Sequence, residues 1–74
     1  GLSAFINQRK LYAAAGDTIV SIDVYEVNGK LVKSYQPSVK AKSFEDDFLF
    51  AQGIYFAKIK LENGSIVTQK LMNK

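Results

Sequence analysis

The last third of the chain is patterned as one β-hairpin, and this hairpin restricts the fold more than any other segment. Along residues 53–61, apolar side chains recur at every second position, which is typical of a half-buried strand. Residues 65–72 return after a turn at Asn63-Gly64, and either of their two faces can be the buried one. The expected core-facing residues of the first strand are Tyr55, Ala57, Ile59 and Leu61, with Lys58 and Lys60 facing water.

A second hairpin is predicted over residues 19–36, with its turn at Asn28-Gly29. Asn-Gly is a strong hairpin signal because a type I′ turn needs positive φ at both central residues. The alternation predicts that Val20, Ile22 and Val24 share one face of the first strand. On the return strand it groups Leu31, Lys33 and Tyr35 on one face and Val32 and Ser34 on the other.

Shorter strands are predicted elsewhere. Pro37 ends the second hairpin, and residues 38–42 form a polar connection that is long enough to cross between sheets. Residues 43–50 alternate as a half-buried strand that would turn the Asp46 carboxylate inward. Residues 2–7 and 9–15 are candidate early strands, because the helix-friendly patch at 11–15 is too short to stand alone as a helix.

These patterns predict an all-β domain of six or seven strands over residues 1–74. A single sheet would leave one apolar face in water, so two packed antiparallel sheets are the expected solution. The composition supports this without cross-links, since 47% of the residues are hydrophobic and there is no Cys. The sequence therefore predicts a single small β-sandwich domain.

The residue types present argue against catalysis and metal binding. The chain has neither His nor Cys, which removes the commonest general base and most zinc and nucleophile arrangements. The acidic run at residues 45–47 would point to alternate faces of a strand, so we expect a solvated edge rather than a Ca²⁺ site. We predict no catalytic residue, no metal, no cofactor, no small-molecule substrate and no enzymatic activity.

The charge is modest and scattered. The net charge is +3, and Arg9-Lys10 is the only adjacent basic pair, so no nucleic-acid footprint is expected. No apolar run approaches the roughly 18 residues of a membrane span. The first residue is not Met, and we expect the chain to be a fragment of a larger secreted protein.

Three segments resemble a known family. Residues 24–33 (VYEVNGKLVK), 53–59 (GIYFAKI) and 64–74 (GSIVTQKLMNK) are similar to the C-terminal sorting domains of the type IX secretion system of Bacteroidetes, the Por secretion tails. The segments occur in the order and at the spacing of that family. The usual Leu-Pro-Ala-Gly lead-in is Phe50-Ala51-Gln52-Gly53 here, and residues 1–19 match no motif of the family.

The resemblance implies a non-catalytic signal domain with a small immunoglobulin-like β-sandwich fold. Such a domain directs attached cargo through the type IX outer-membrane translocon and is then removed by a cell-surface sortase-like peptidase. The implied location is the periplasm in transit, followed by the cell surface or the extracellular space. The implied partners are the secretion machinery at the outer membrane and that peptidase.

The terminal hairpin contains the candidate recognition residues. Lys70 and Lys74 lie on or just beyond the last strand, where we expect the chain end to fray and a receptor to capture it. Candidate recognition residues are Gly53, Tyr55, Gly64, Lys70 and Lys74, and the structural turn residues are Asn28, Gly29, Asn63 and Gly64. Structural roles compete: turn formation for Gly64, strand initiation for Gly53 and core packing for Tyr55.

An alternative function is an immunoglobulin-like accessory module of a secreted enzyme or adhesin, serving as a spacer or weak carbohydrate binder. Glycan binding would need exposed aromatic side chains in a row, and Tyr25 and Tyr35 are the candidates. An exposed edge strand could also pair two copies into a dimer.

Overall fold

Alternating side chains and tight turns organise the chain into seven strands, described here from a computed structural model that covers residues 1–74. No helix forms, and the helix-friendly patch lies in a strand, as predicted. No helix is present that could cross a membrane. The strands are β1 Ser3–Asn7, β2 Lys10–Ala14, β3 Ile19–Glu26, β4 Leu31–Tyr35, β5 Ser43–Asp47, β6 Gly53–Leu61 and β7 Ile66–Asn73.

The strands form two antiparallel sheets. The smaller sheet has the order β1-β2-β5 and the larger has the order β4-β3-β6-β7. Residues 36–42 carry the chain from the larger sheet to the smaller, as predicted for this polar connection. The all-β sandwich predicted from the sequence is confirmed.

One hydrophobic core lies between the sheets. Its centre is formed by Phe48, Leu11, Ile22, Ile59, Leu71 and Val24, all less than 2% exposed. On β6 every predicted inward residue is buried, and on β7 the buried face is that of Val67, Gln69 and Leu71. The sequence pattern of β7 allowed either face to be buried, and the structure shows that it is the face of Leu71.

The predicted alternation of β3 is wrong at its start. Val20 is 42% exposed, whereas Ile19 is 2% exposed and belongs to the core. The pairing with β6 shifts between Ile19 and Ser21, so Val20 is the extra residue of a β-bulge. A bulge inserts one residue into the period of two, and the inward face changes phase there.

A β-bulge also changes which residues of β4 face the core. Its pairing with β3 passes from Lys33 directly to Leu31, which leaves Val32 without a partner. Val32 packs against the core, while Leu31 lies on the outer face and is 49% exposed. The predicted grouping of Leu31 with Tyr35 is therefore wrong.

β5 is shorter than predicted and ends at Asp47. Asp46 pairs with the buried Leu11, but β5 is an edge strand and the Asp46 side chain is exposed. Its carboxylate accepts a hydrogen bond from the Asp47 N–H at 2.8 Å. The expected inward, half-buried carboxylate is wrong, because the sheet edge lets it reach water.

The two Asn-Gly turns have the same geometry, which is not the type I′ geometry that the sequence suggested. Gly29 and Gly64 have φ of 91° and 92°, whereas neither asparagine has positive φ. Each glycine N–H donates at 2.9 Å to the carbonyl three residues earlier. This is a type I turn followed by a left-handed glycine, the usual three-residue hairpin loop.

The type I′ geometry occurs instead between β1 and β2. Gln8 and Arg9 have φ of 48° and 64°, and Asn7 pairs with Lys10 across them. Positive φ at both central residues favours Asn and Gly, which this turn lacks. This loop therefore holds two side-chain-bearing residues in a conformation that costs free energy.

We predict that replacing Gln8→Asn together with Arg9→Gly stabilises the domain by about 1 kcal/mol, because these residues adopt the turn without strain. The melting temperature should rise by about 4–8 °C, measured by thermal unfolding followed by circular dichroism. Gly64→Ala, at a φ of 92°, should shift it downward. An unchanged or lower melting temperature in the double variant would contradict the strain assignment.

Tyr35 joins the two sheets. It is 3% exposed, and its hydroxyl donates to the Asp47 carbonyl oxygen of β5 at 2.7 Å. Its ring meets the Phe44 ring edge-on, with the centroids 5.4 Å apart. Burial, reinforced by the carboxylates of Asp46 and Asp47, raises the pKa of Tyr35 to about 12.

This pKa predicts a loss of stability at high pH. Above about pH 10 the unfolded chain loses the phenolic proton that the folded chain keeps up to about pH 12. The free energy of unfolding should therefore fall more steeply from pH 10 to 12 in the natural protein than in Tyr35→Phe. Urea unfolding at stepped pH measures this, and curves that run parallel up to pH 12 would refute the assignment.

Candidate functional site

The β6–β7 ladder determines where the predicted recognition residues lie. Gly53 pairs with Asn73 at one end of the ladder, and Lys74 follows immediately. Lys70 pairs with Phe56, three residues further along the ladder. Gly64 lies at the other end, roughly 26 Å away at the rise of a β-strand. The structure thus brings Gly53, Lys70 and Lys74 together and separates Gly64 from them.

Gly53 begins β6 in a conformation that side-chain-bearing residues rarely adopt, with φ of 147°. No atom lies within 4 Å of the position that a Cβ would take. Glycine is therefore required by the backbone conformation and not by a close neighbour. This conformation directs the chain from the preceding loop into the ladder.

Tyr55 is a core residue that also holds that loop. It is 5% exposed, and its ring meets Phe48 edge-on at a centroid distance of 5.0 Å. Its hydroxyl donates to the Ala51 carbonyl oxygen at 2.6 Å. The Tyr55 hydroxyl thus fixes the loop of residues 48–52, and its buried ring offers little surface to a partner.

Asn73 is a site residue that the sequence analysis missed. Although polar, it is only 6% exposed, and its side-chain amide donates to the carbonyl oxygens of Phe50 and Ala51 at 3.0 and 3.1 Å. β7 continues to Asn73, so the backbone is paired up to the residue before Lys74, and the fraying of the chain end stays a prediction. The available signal was its position two residues after Leu71, on the face that points inward.

Exposed apolar side chains gather around this ordered end. We call the group the chain-end surface and define it as Val27, Leu49, Phe50, Ile54 and Met72 together with Lys70 and Lys74. Ile54 pairs directly with Met72 across the ladder, and Val27 and Ile54 line one shallow depression. The five apolar residues are between 39% and 68% exposed. Apolar side chains clustered in this way are typical of an interaction site.

Lys70 and Lys74, the lysines of this surface, form no ion pair. The ion pairs of the structure are Lys10 with Glu45 and Lys40 with Glu62. Neither involves Lys70 or Lys74, and both of these residues are exposed. The chain-end surface therefore combines apolar contact area with two lysines that form no ion pair.

The tyrosine pair proposed for glycan binding does not form a platform. Tyr35 is buried on the inner face of the larger sheet. Tyr25 is on the opposite face, where the Lys58 ammonium lies 5.2 Å from the centre of its ring. A glycan could not contact both rings, so this basis for the alternative function is wrong.

Comparison with known families gives one match. A family model described as secretion system C-terminal sorting domain matches residues 7–74. The match contains the three segments of the sequence resemblance and extends through β2, a region where no motif was recognised. No curated protein matches the chain.

We predict that Asn73→Ala lowers the free energy of unfolding by about 1–3 kcal/mol, because two carbonyl groups lose their donor. Lys74→Ala should leave it within about 0.5 kcal/mol, as is usual for an exposed residue. Urea unfolding of the two variants beside the natural chain measures both effects. Equal stability of the two variants would show that the Asn73 bonds do not hold the chain end.

Proposed function

This chain belongs to the family of secretion system C-terminal sorting domains, and from that membership we propose that it delivers attached cargo to the outer-membrane translocon of type IX secretion. The family supports a sorting-signal role and export to the cell surface or the extracellular space. Its members are generally non-catalytic. The part of the domain that the secretion machinery recognises is, in this proposal, the chain-end surface.

The chain-end surface is the observation that favours docking at this end. Gly1 and Leu2 line a depression with Asn63 and Ser65, beside the Gly64 turn. A cargo domain joined ahead of residue 1 would therefore lie at the far end of the sandwich. The chain-end surface would stay accessible while cargo is attached, as a sorting tag requires.

We propose two kinds of contact with the secretion machinery. The apolar side chains supply contact area, and Lys70 and Lys74 favour an acidic partner surface. β7 is the edge strand of the larger sheet, and β1 of the other sheet lies beside it, so a strand of the partner could pair with the part of this edge that β1 leaves open. Pairing of two copies through such an edge stays a prediction.

Later steps of the proposal rest on family membership. The tag passes through the periplasm, crosses the outer membrane with its cargo, and is removed by a sortase-like peptidase at the cell surface. Within this sequence of events the domain acts as a folded recognition element, and the peptidase supplies the chemistry.

The export test uses a reporter fused ahead of residue 1 in a host with type IX secretion. We predict that Ile54→Thr with Met72→Thr lowers the amount of surface reporter at least about tenfold, the effect of losing 1.4 kcal/mol of binding. Lys70→Glu with Lys74→Glu should act in the same direction, because it reverses the charge offered to the partner. Substitution is preferred to truncation, since deleting residues 72–74 would also remove the buried Asn73.

A matched control lies at the other end of the same face. Ile66 pairs with Lys60 on the same ladder, and Ile66 is 63% exposed. Ile66→Thr with Lys60→Glu should leave export unchanged, and thermal unfolding should show that every variant is folded. Equal export by control and chain-end variants of matched stability would refute the assigned surface.

A further inference from the structure

The outer face of the smaller sheet carries a second surface, distinct from the chain-end surface. Phe5 of β1 pairs with Tyr12 of β2, and Tyr12 pairs with Glu45 of β5. These three side chains form one row across the sheet. The next row consists of the small residues Ser3, Ala14 and Ser43.

The aromatic pair is ordered although it faces water. The rings of Phe5 and Tyr12 are stacked, with centroids 5.0 Å apart and planes inclined by 17°. Phe5 is 51% exposed although its ring stacks on Tyr12. The stacking holds both rings in place, so a ligand would lose little side-chain entropy on binding them.

The contrast in side-chain size between the two rows creates a depression beside the rings. Its volume is about 460 Å³, within the range of roughly 300–1,000 Å³ found for small-ligand sites. The aromatic rings wall one side, and serine hydroxyls and a carboxylate lie around it. The lining side chains of interest are Ser3, Phe5, Tyr12, Ala14, Ser43 and Glu45.

We propose that this depression binds a neutral saccharide unit. A sugar ring has a face rich in C–H groups, which suits the aromatic wall, and a rim of hydroxyl groups. The hydroxyls of Ser3 and Ser43 can donate and accept hydrogen bonds, and the carboxylate of Glu45 accepts them. This combination of an apolar wall and a few convergent polar groups satisfies both parts of the ligand.

The local charge selects a neutral sugar. Lys10 Nζ lies 3.9 Å from Glu45 Oε2, so the pair has no net charge and Oε1 remains available. An acidic sugar would be repelled by the Glu45 carboxylate, whose ion-pair partner Lys10 is already engaged. A nucleic acid could stack a base on the rings, but its phosphates would be repelled by the Glu45 carboxylate at the depression.

The experiment is a titration of the 74-residue chain by nuclear magnetic resonance. The ligands are neutral hexasaccharides of glucose, mannose and N-acetylglucosamine, with an oligouronate and a single-stranded oligonucleotide for comparison. A neutral hexasaccharide should shift the backbone signals of Tyr12 and Ser43. Phe5→Ala and Tyr12→Ala should each weaken binding at least about tenfold, and Glu45→Gln should weaken it severalfold.

Leu31→Ala is the matched control, since Leu31 is 49% exposed on the outer face of the other sheet. It should bind the saccharide like the natural chain. Three outcomes would overturn the proposal: no neutral hexasaccharide causes shifts at millimolar concentration, binding is unchanged by Phe5→Ala, or the oligouronate or oligonucleotide binds more tightly.

Discussion

Burial of Phe48 between the sheets is the interaction on which the arrangement of one whole end depends. Phe48 follows β5 in the smaller sheet, is fully buried, and packs edge-on against Tyr55 of the larger sheet. Its N–H donates to the Arg9 carbonyl oxygen at 2.9 Å, which ties the β1–β2 turn to the same point. Full burial of such a side chain contributes on the order of 1.5–3 kcal/mol. That is a large share of the stability of so small a domain.

The order of the chain end follows from this anchor. With Phe48 in place, residues 49–52 lie over the end of the β6–β7 ladder, where Tyr55 and Asn73 donate to their carbonyl groups. These bonds fix the backbone of Phe50 and Ala51 next to the exposed Leu49 side chain, while the Phe50 ring packs partly against Phe48. Hydrogen bonds to the backbone carbonyls of this loop therefore position a loop whose apolar side chains are exposed to water. A partner that covers them would gain burial without first having to order the loop.

Much of the fold was predictable because alternation, Asn-Gly turns and Pro37 are local signals. The bulges at Val20 and Val32 were not predictable from the sequence. An extra residue leaves the composition of a strand unchanged, but it exchanges the inward-facing and outward-facing positions beyond it. The type I′ turn at Gln8-Arg9 was not predictable, because neither residue is one of the types that favour this turn. The terminal positions of Lys70 and Lys74 were predictable from the sequence, but Val27 and the loop 48–52 join the proposed chain-end surface only through tertiary packing. Asn73 was missed because a polar residue near a terminus is usually exposed.

The two proposed surfaces occupy separate parts of the sandwich, and this separation has a functional consequence. The depression beside Phe5 includes Ser3, at the start of β1, whereas the chain-end surface surrounds the end of β7. β1 and β7 belong to different sheets, and the depression opens on the outer face of the smaller one. The end of β1 lies beside the end of β7, but Phe5 and Tyr12 face away from it, so a partner confined to the outer face of the larger sheet would leave the aromatic pair exposed. Binding of a saccharide and recognition for export could then occur on the same molecule at the same time.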